Sequence, residues 1–182
     1  MNLKGYQPWV TLGSGFRCEQ SPLLGSHPRL SQETPKIRYT GIAVATMNIE
    51  IIPFEPEAAT EREWARFHAY RRVRHEETDP KDPIAEDTTT EKLMKRPDPH
   101  VKISRFAVVD AAQPSGQIGS LDYYTFREES PSYHANKHLA YVELEVLRSS
   151  RRRGVGRTIL AEAAKLAKEH GKAVILSSCF EE

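Results

Sequence analysis

The chain has 182 residues, 26 lysines and arginines against 25 aspartates and glutamates, and a formal net charge of +1. So even a balance gives no overall drive toward nucleic acid, and positive charge can matter only where it is locally concentrated. No apolar run approaches the roughly 20 residues needed to cross a bilayer, and two cysteines, Cys18 and Cys179, are too few for a disulfide framework. The expectation is a protein of the reducing cytoplasm with one principal domain and no membrane or nucleic-acid partner.

Residues 1–46 hold scattered Gly, Pro and Ser, no sustained hydrophobic period, and only Glu19 and Glu33 against Lys4, Arg17, Arg29, Lys36 and Arg38. That composition predicts a disordered or non-native N-terminal extension, and it lacks the continuous apolar core of a secretory signal. Met47 stands directly before the first convincing strand, so the domain is assigned to residues 47–182. An upstream start explains the extension; a native flexible tail is the alternative.

Asn48 to Phe54 reads as a short apolar strand. Thr60-Glu-Arg-Glu63 is a capping box, and Trp64, Phe67, Tyr70 and Val73 follow at helical spacing toward a core. A polar, proline-containing loop from Thr78 to Asp87 leads to a second capping box, Thr88-Thr-Thr-Glu91, and a short helix stopped by Pro97. Val101 to Ala111 and Gln117 to Phe126 read as strands joined by the turn-rich Ala112-Gln-Pro-Ser-Gly116. Tyr123, Tyr124 and Tyr133 suit either ordinary sheet positions or the wall of a pocket. His134 and His138 have the spacing of helix-borne ligands, but their segment is a poor helix and no Cys or carboxylate set completes a site, so no metal is expected.

Leu139 to Leu147 alternates, with Val142, Leu144 and Val146 on one face and Glu143 and Glu145 on the other. Val155, Ile159, Leu160, Ala163, Leu166 and Ala167 then form the apolar stripe of a helix ended by His170 and Gly171. A second apolar strand, Ala173 to Cys179, follows. Between strand and helix lies Arg151-Arg-Arg-Gly154-Val-Gly156-Arg157. Glycines there let a backbone approach a ligand closely, and the first N–H groups of a helix, with the positive end of its dipole, bind anions. Four arginines at that end are unfavourable unless an anion sits among them.

A dinucleotide fingerprint would need glycine where Ile159 stands, and an ATP-type loop would need Gly-Lys-Ser/Thr after Gly154; neither is present. What remains, Arg151-x-x-Gly154-x-Gly156, resembles the acyl-coenzyme A signature Gln/Arg-x-x-Gly-x-Gly/Ala of the GNAT N-acetyltransferases. The order strand, helix, helix, hairpin, strand, loop-helix, strand also resembles that family's, over roughly the last three quarters of the chain. The resemblance implies an α/β fold with a mixed sheet, the acyl-CoA N-acyltransferase fold lacking its last helix and strands. It equally suggests a truncated chain or the first half of a tandem GNAT protein, as the acidic Arg74–Pro83 segment also does. Arg148 departs from the family, which commonly has proline there.

The resemblance further implies that acetyl-coenzyme A is the cosubstrate and a small-molecule or peptide amine the acceptor, with a second GNAT domain or a second copy of the chain as partner. Arg151, Arg152, Arg153, Gly154, Val155, Gly156 and Arg157 would bind the pyrophosphate, and Val146, Leu147 and Arg148 would meet the pantetheine and polarise the thioester carbonyl. The incoming amine must lose a proton, for which Glu145 is the first candidate base and Glu143 the second. Both glutamates also suit the solvent face of a half-covered strand. The family's usual general-acid tyrosine has no counterpart in these residues, which leaves a non-catalytic acyl-CoA-binding half as the alternative function.

Overall fold

The computed structural model describes residues 47–177; the extension expected over residues 1–46 lies outside them, as do Cys18 and Cys179. Ten elements follow in order. They are β1 (Ile49–Phe54), α1 (Glu61–Thr78), α2 (Asp87–Lys95), β2 (Val101–Asp110), β3 (Gln113–Phe126), α3 (Tyr133–Asn136), β4 (Leu139–Val146), a 3-10 turn (Arg148–Ser150), α4 (Val155–Glu169) and β5 (Val174–Leu176). The strands form one sheet in chain order, antiparallel except for the parallel pair β4–β5.

One face of the sheet is covered by α4, because Val155, Ile159, Ala163 and Ala167 recur every four residues and make a continuous apolar stripe. These side chains pack on Val108, Leu121, Tyr123, Ala140 and Val142, all almost fully buried. Leu160, expected in that stripe, is half exposed because it follows Ile159 by one position and so points about 100° away. Gly119 sits where β3, β4 and α4 converge. A Cβ added there would lie 2.5 Å from the Glu145 carbonyl oxygen and 3.5 Å from Ile159 Cδ1. Backbone cannot yield cheaply, so Gly119→Ala is expected to cost about 1–3 kcal/mol of stability, read from the urea midpoint.

The other face carries α1. Its first turn is closed by the expected capping box, with the Thr60 N–H donating to Glu63 Oε2 at 2.8 Å and the Glu63 N–H to Thr60 Oγ1 at 3.3 Å. Trp64 meets Phe54 edge to face, and Phe67 stacks on Phe54, tying α1 to β1. Trp64 and Tyr70 are buried as expected and His68 joins them, whereas Val73, expected toward the core, is exposed.

Two local expectations give way to tertiary contacts. The second capping box does not form: α2 begins two residues earlier, with Glu86 rather than Thr88 as its N-cap, and Glu91 turns to the buried His68, 3.1 Å from Nε2. Asp87 meanwhile receives Arg71 Nη2 at 2.6 Å and also pairs with Arg72, so the start of α2 is held to α1 by charge. The hairpin turn is tighter than the sequence suggests, with Asp110 opposite Gln113 and Val109 opposite Gln117. Residues 114–116 form the resulting bulge, which suits Pro114, since proline has no N–H to give the ladder.

Candidate functional site

β5 pairs with β4 only through Leu139, Ala140 and Tyr141. From Val142 to Val146, β4 has β3 on one edge and no β5 partner on the other among the described residues. The Leu147 N–H donates to the Ile118 carbonyl at 3.0 Å, so in an antiparallel ladder the N–H and C=O groups of Val142, Leu144 and Val146 face the open edge. Arg151 Nε uses one of them, donating to the Val146 carbonyl at 3.0 Å.

Beyond β4 the 3-10 turn leads into the arginine loop. Arg152 has φ 63° and Gly154 φ 89°, both left-handed, so the loop carries backbone strain at the one non-glycine residue that adopts this region among the described residues. Gly154 is the N-cap of α4, and among the described residues no side chain caps the helix. The first-turn N–H groups of Val155, Gly156 and Arg157 therefore point out of the helix end without a side-chain acceptor. They open on a groove of about 690 Å³ lined by Val146, Arg151, Arg152, Arg153, Gly154, Val155, Gly156 and Arg157. No described residue lies within 4 Å of a Cβ built on either glycine. The conformation explains Gly154, whereas Gly156 has no packing reason to be glycine and faces open space.

Eight of the ten residues expected to meet the cofactor thus share one groove. The other two, Leu147 and Arg148, sit beside it. Leu147 is buried, and the Arg148 N–H donates to both carboxylate oxygens of Glu77, at 3.1 and 3.0 Å.

On the α1 face, Glu145 is half-buried, paired with the Arg74 guanidinium, and accepts from the Tyr70 hydroxyl at 3.3 Å. Burial pushes its carboxyl above the ordinary range, and Arg74 and the Tyr70 hydrogen bond work in the opposite direction. The Tyr70 hydroxyl also lies 3.0 Å from Ser120 Oγ, and burial raises the phenol well above its usual range. Glu143 is exposed and accepts from the Tyr124 hydroxyl at 2.9 Å. Tyr123 points to the opposite face, where its hydroxyl is 3.3 Å from His170 Nδ1, so only Tyr124 of that pair borders the glutamates.

The sequence reading does not single out Asp122, Tyr70, Arg74 or Ser120 as site residues. The signal for two of them lies in β3, where Ser120, Asp122 and Tyr124 alternate with Leu121 and Tyr123 and so share the face of Glu143 and Glu145. Burial holds the Asp122 carboxyl up at about 6, with Glu143 adding to the rise and Arg105, 3.5 Å away, opposing it. Unfolded, the same group titrates near 3.8, so its favourable contribution is complete below that pH and is lost as pH rises to about 6. Asp122→Asn, which cannot ionise, should therefore gain on the wild type by on the order of 2 kcal/mol between pH 4 and pH 7, read as the change in their stability difference in urea.

Among the described residues, no group of three or more His, Cys, Asp or Glu is arranged to hold a metal, and no helix is long and apolar enough to cross a membrane. His134 lies on the four-residue α3 and His138 beyond it.

A five-stranded mixed sheet with the N-terminus of α4 beside the end of β4 defines an acyl-coenzyme A acyltransferase type of fold. The sequence profile of the acetyltransferase (GNAT) family matches residues 60–181, and the chain belongs to that family. No curated protein sequence matches it significantly. Among solved structures it is similar to an aminoglycoside acetyltransferase from an uncultured soil metagenomic sample, in complex with sisomicin, at TM-score 0.53 and 15% identity, covering 74% of this chain and 79% of that one. It is similar to a tandem GNAT protein from the clavulanic acid biosynthesis pathway at TM-score 0.56 and 19% identity, covering 72% of this chain but only 36% of that one. An acetyltransferase of Trypanosoma brucei aligns at TM-score 0.51 and 12% identity over 73% of this chain and 84% of that one. At these identities the likeness is one of fold.

Proposed function

We propose that the protein is an N-acetyltransferase that moves an acetyl group from acetyl-coenzyme A to a primary amine. The observation that carries this is the groove at the start of α4, where four arginines, a glycine with no packing role and N–H groups uncapped among the described residues converge beside a strand edge that no described residue pairs with. Acetyl-coenzyme A supplies the activated acetyl group and a diphosphate. The N–H groups of Val155, Gly156 and Arg157, with Arg151, Arg152 and Arg153, hold that diphosphate. On the open edge of β4, the N–H groups of Leu144 and Val146 bond the pantetheine arm and polarise the thioester carbonyl. Leu147 and Arg148 stay with Val146 at the pantetheine end, where the Arg148 N–H also fixes the strand exit through Glu77.

Glu145 is the proposed base. It stands on β4 next to Val146, its carboxyl is made more basic by burial, and it accepts the proton that the ammonium form of the acceptor must lose, directly or through a water. Glu143, exposed and bonded to Tyr124, is placed to attract the cationic acceptor. Two neighbouring folds belong to an aminoglycoside acetyltransferase and a tandem GNAT protein, so aminoglycosides join small amines and peptides as acceptors to try, and a second domain or second copy as partner. A cytoplasmic setting completes the proposal.

The pairing of Arg74 with Glu145 favours a second reading, since a guanidinium opposes proton uptake and suits a non-catalytic acyl-coenzyme A-binding half. Calorimetric titration with acetyl-coenzyme A, followed by thiol release in the presence of an amine panel, separates the two. Binding with release supports the enzyme, binding without release across the panel supports the binding half, and no binding refutes both.

A further inference from the structure

The first residue of a helical turn has a backbone N–H with no partner inside the turn. Arg148 occupies that position in the 3-10 turn that carries β4 into the arginine loop. Its N–H is not left to water: both oxygens of Glu77, 71 residues earlier, accept it at 3.1 and 3.0 Å. Tyr70, Arg74 and Glu77 stand at i, i+4 and i+7 on α1, and therefore on one face of the helix. Tyr70 and Arg74 hold Glu145, and Glu77 holds Arg148. They grip β4 over the stretch where no described residue of β5 pairs with it.

We infer that Glu77 is a positioning residue, whose carboxylate fixes the exit of β4 into the arginine loop by holding the Arg148 N–H. Among the described residues only β3 pairs with the end of β4, and the groove takes its shape from that strand end and the loop together. A charge-assisted bond from the last turns of α1 supplies the second anchor. It also makes the setting of α1 and the shape of the groove a single mechanical unit. The consequence for ligand affinity rests on the cofactor placement proposed above, whereas the anchor itself does not.

The backbone offers a clean test. Leu147 has φ −56° and ψ 143°, the region a residue before proline adopts, and Arg148 is the first residue of its turn, where proline is tolerated. Arg148→Pro thus removes the N–H while keeping the path. In the full chain without ligand, Glu77→Ala should speed hydrogen exchange of the segment from Val146 to Arg151 by about tenfold, with β2 and β3 unchanged, and Glu77→Gln, whose amide oxygen still accepts, should restore most of the protection. Acetyl-coenzyme A affinity measured by calorimetry should fall about five- to tenfold in Glu77→Ala, and by less than about twofold when the same change is made in the Arg148→Pro background.

Unaltered exchange in Glu77→Ala overturns the anchor, as does an equal loss of affinity in the two backgrounds. If the wild type binds no acetyl-coenzyme A, the cofactor placement fails, and the exchange measurement still decides the anchor by itself.

Discussion

Replacing Gly156 with glutamate is expected to weaken acetyl-coenzyme A binding by at least about 100-fold while leaving the fold as stable as before or slightly more so. The two halves of that result have separate causes. A Cβ at this position meets no atom of the described residues within 4 Å, and the residue lies inside the first turn of α4, so the backbone needs no rearrangement. Glutamate has the better helix propensity and its charge suits the positive end of the helix, together worth about 1 kcal/mol. The same carboxylate projects into the groove proposed for a diphosphate. Two like unit charges 4 Å apart near a protein surface repel by about 4 kcal/mol; discounting half for solvent and salt still leaves more than tenfold, to which the lost close approach adds. Thermal melting and calorimetry on the same preparation read both effects. Gly154→Ala is the contrasting variant, because φ 89° is strained for any side chain, and it should lose about 1–2 kcal/mol of stability. Unchanged affinity in Gly156→Glu would place the ligand elsewhere.

The parts of this protein that could be read from its letters are those governed by short-range periodicity. The alternation in β4 and the four-residue stripe of α4 are local patterns that the core then uses, and the arginine loop announces itself because glycine and charge break both patterns there. The misreadings fall where a distant partner outbids a local one. Glu91 has a capping role available within its own turn and instead pairs with His68, 23 residues away. Pro114 moves the hairpin turn to Ala111 and Ala112, since a residue without an N–H is better placed in a bulge than in a ladder. Val73 and Tyr70 sit on the same helix, and only the packing partners decide that one is exposed and the other buried. The face that α1 presents to β4 is hidden for a related reason. Tyr70 reaches Ser120 and Glu145 across 50 and 75 residues, and no spacing rule in α1 or β4 foretells those pairings.

Glu145→Gln is the second change with a large expected effect, a fall in acetyl transfer of about 10²–10³-fold with acetyl-coenzyme A affinity held within about twofold. The amide keeps the shape and still accepts from the Tyr70 hydroxyl, so the packing of α1 on β4 survives. What it cannot do is take up a proton. The pH dependence distinguishes a base from a mere anchor. Burial raises the carboxyl above the ordinary carboxylate range of about 4.3, so the rising limb of kcat/KM should lie on the alkaline side of that value. Arg74 favours the charged form and thus pulls the other way; Arg74→Ala should move the limb to still higher pH, because a carboxylate that loses its cationic partner holds its proton more tightly. A variant whose limb moved to lower pH would contradict the assignment. Full activity in Glu145→Gln would transfer the role to Glu143 or Asp122, which face the same side of the sheet, and Glu143→Gln would then carry the larger loss. A rate lost in both Glu145→Gln and Arg74→Ala, with no displacement of the limb, would instead mark the pair as a strut between α1 and β4.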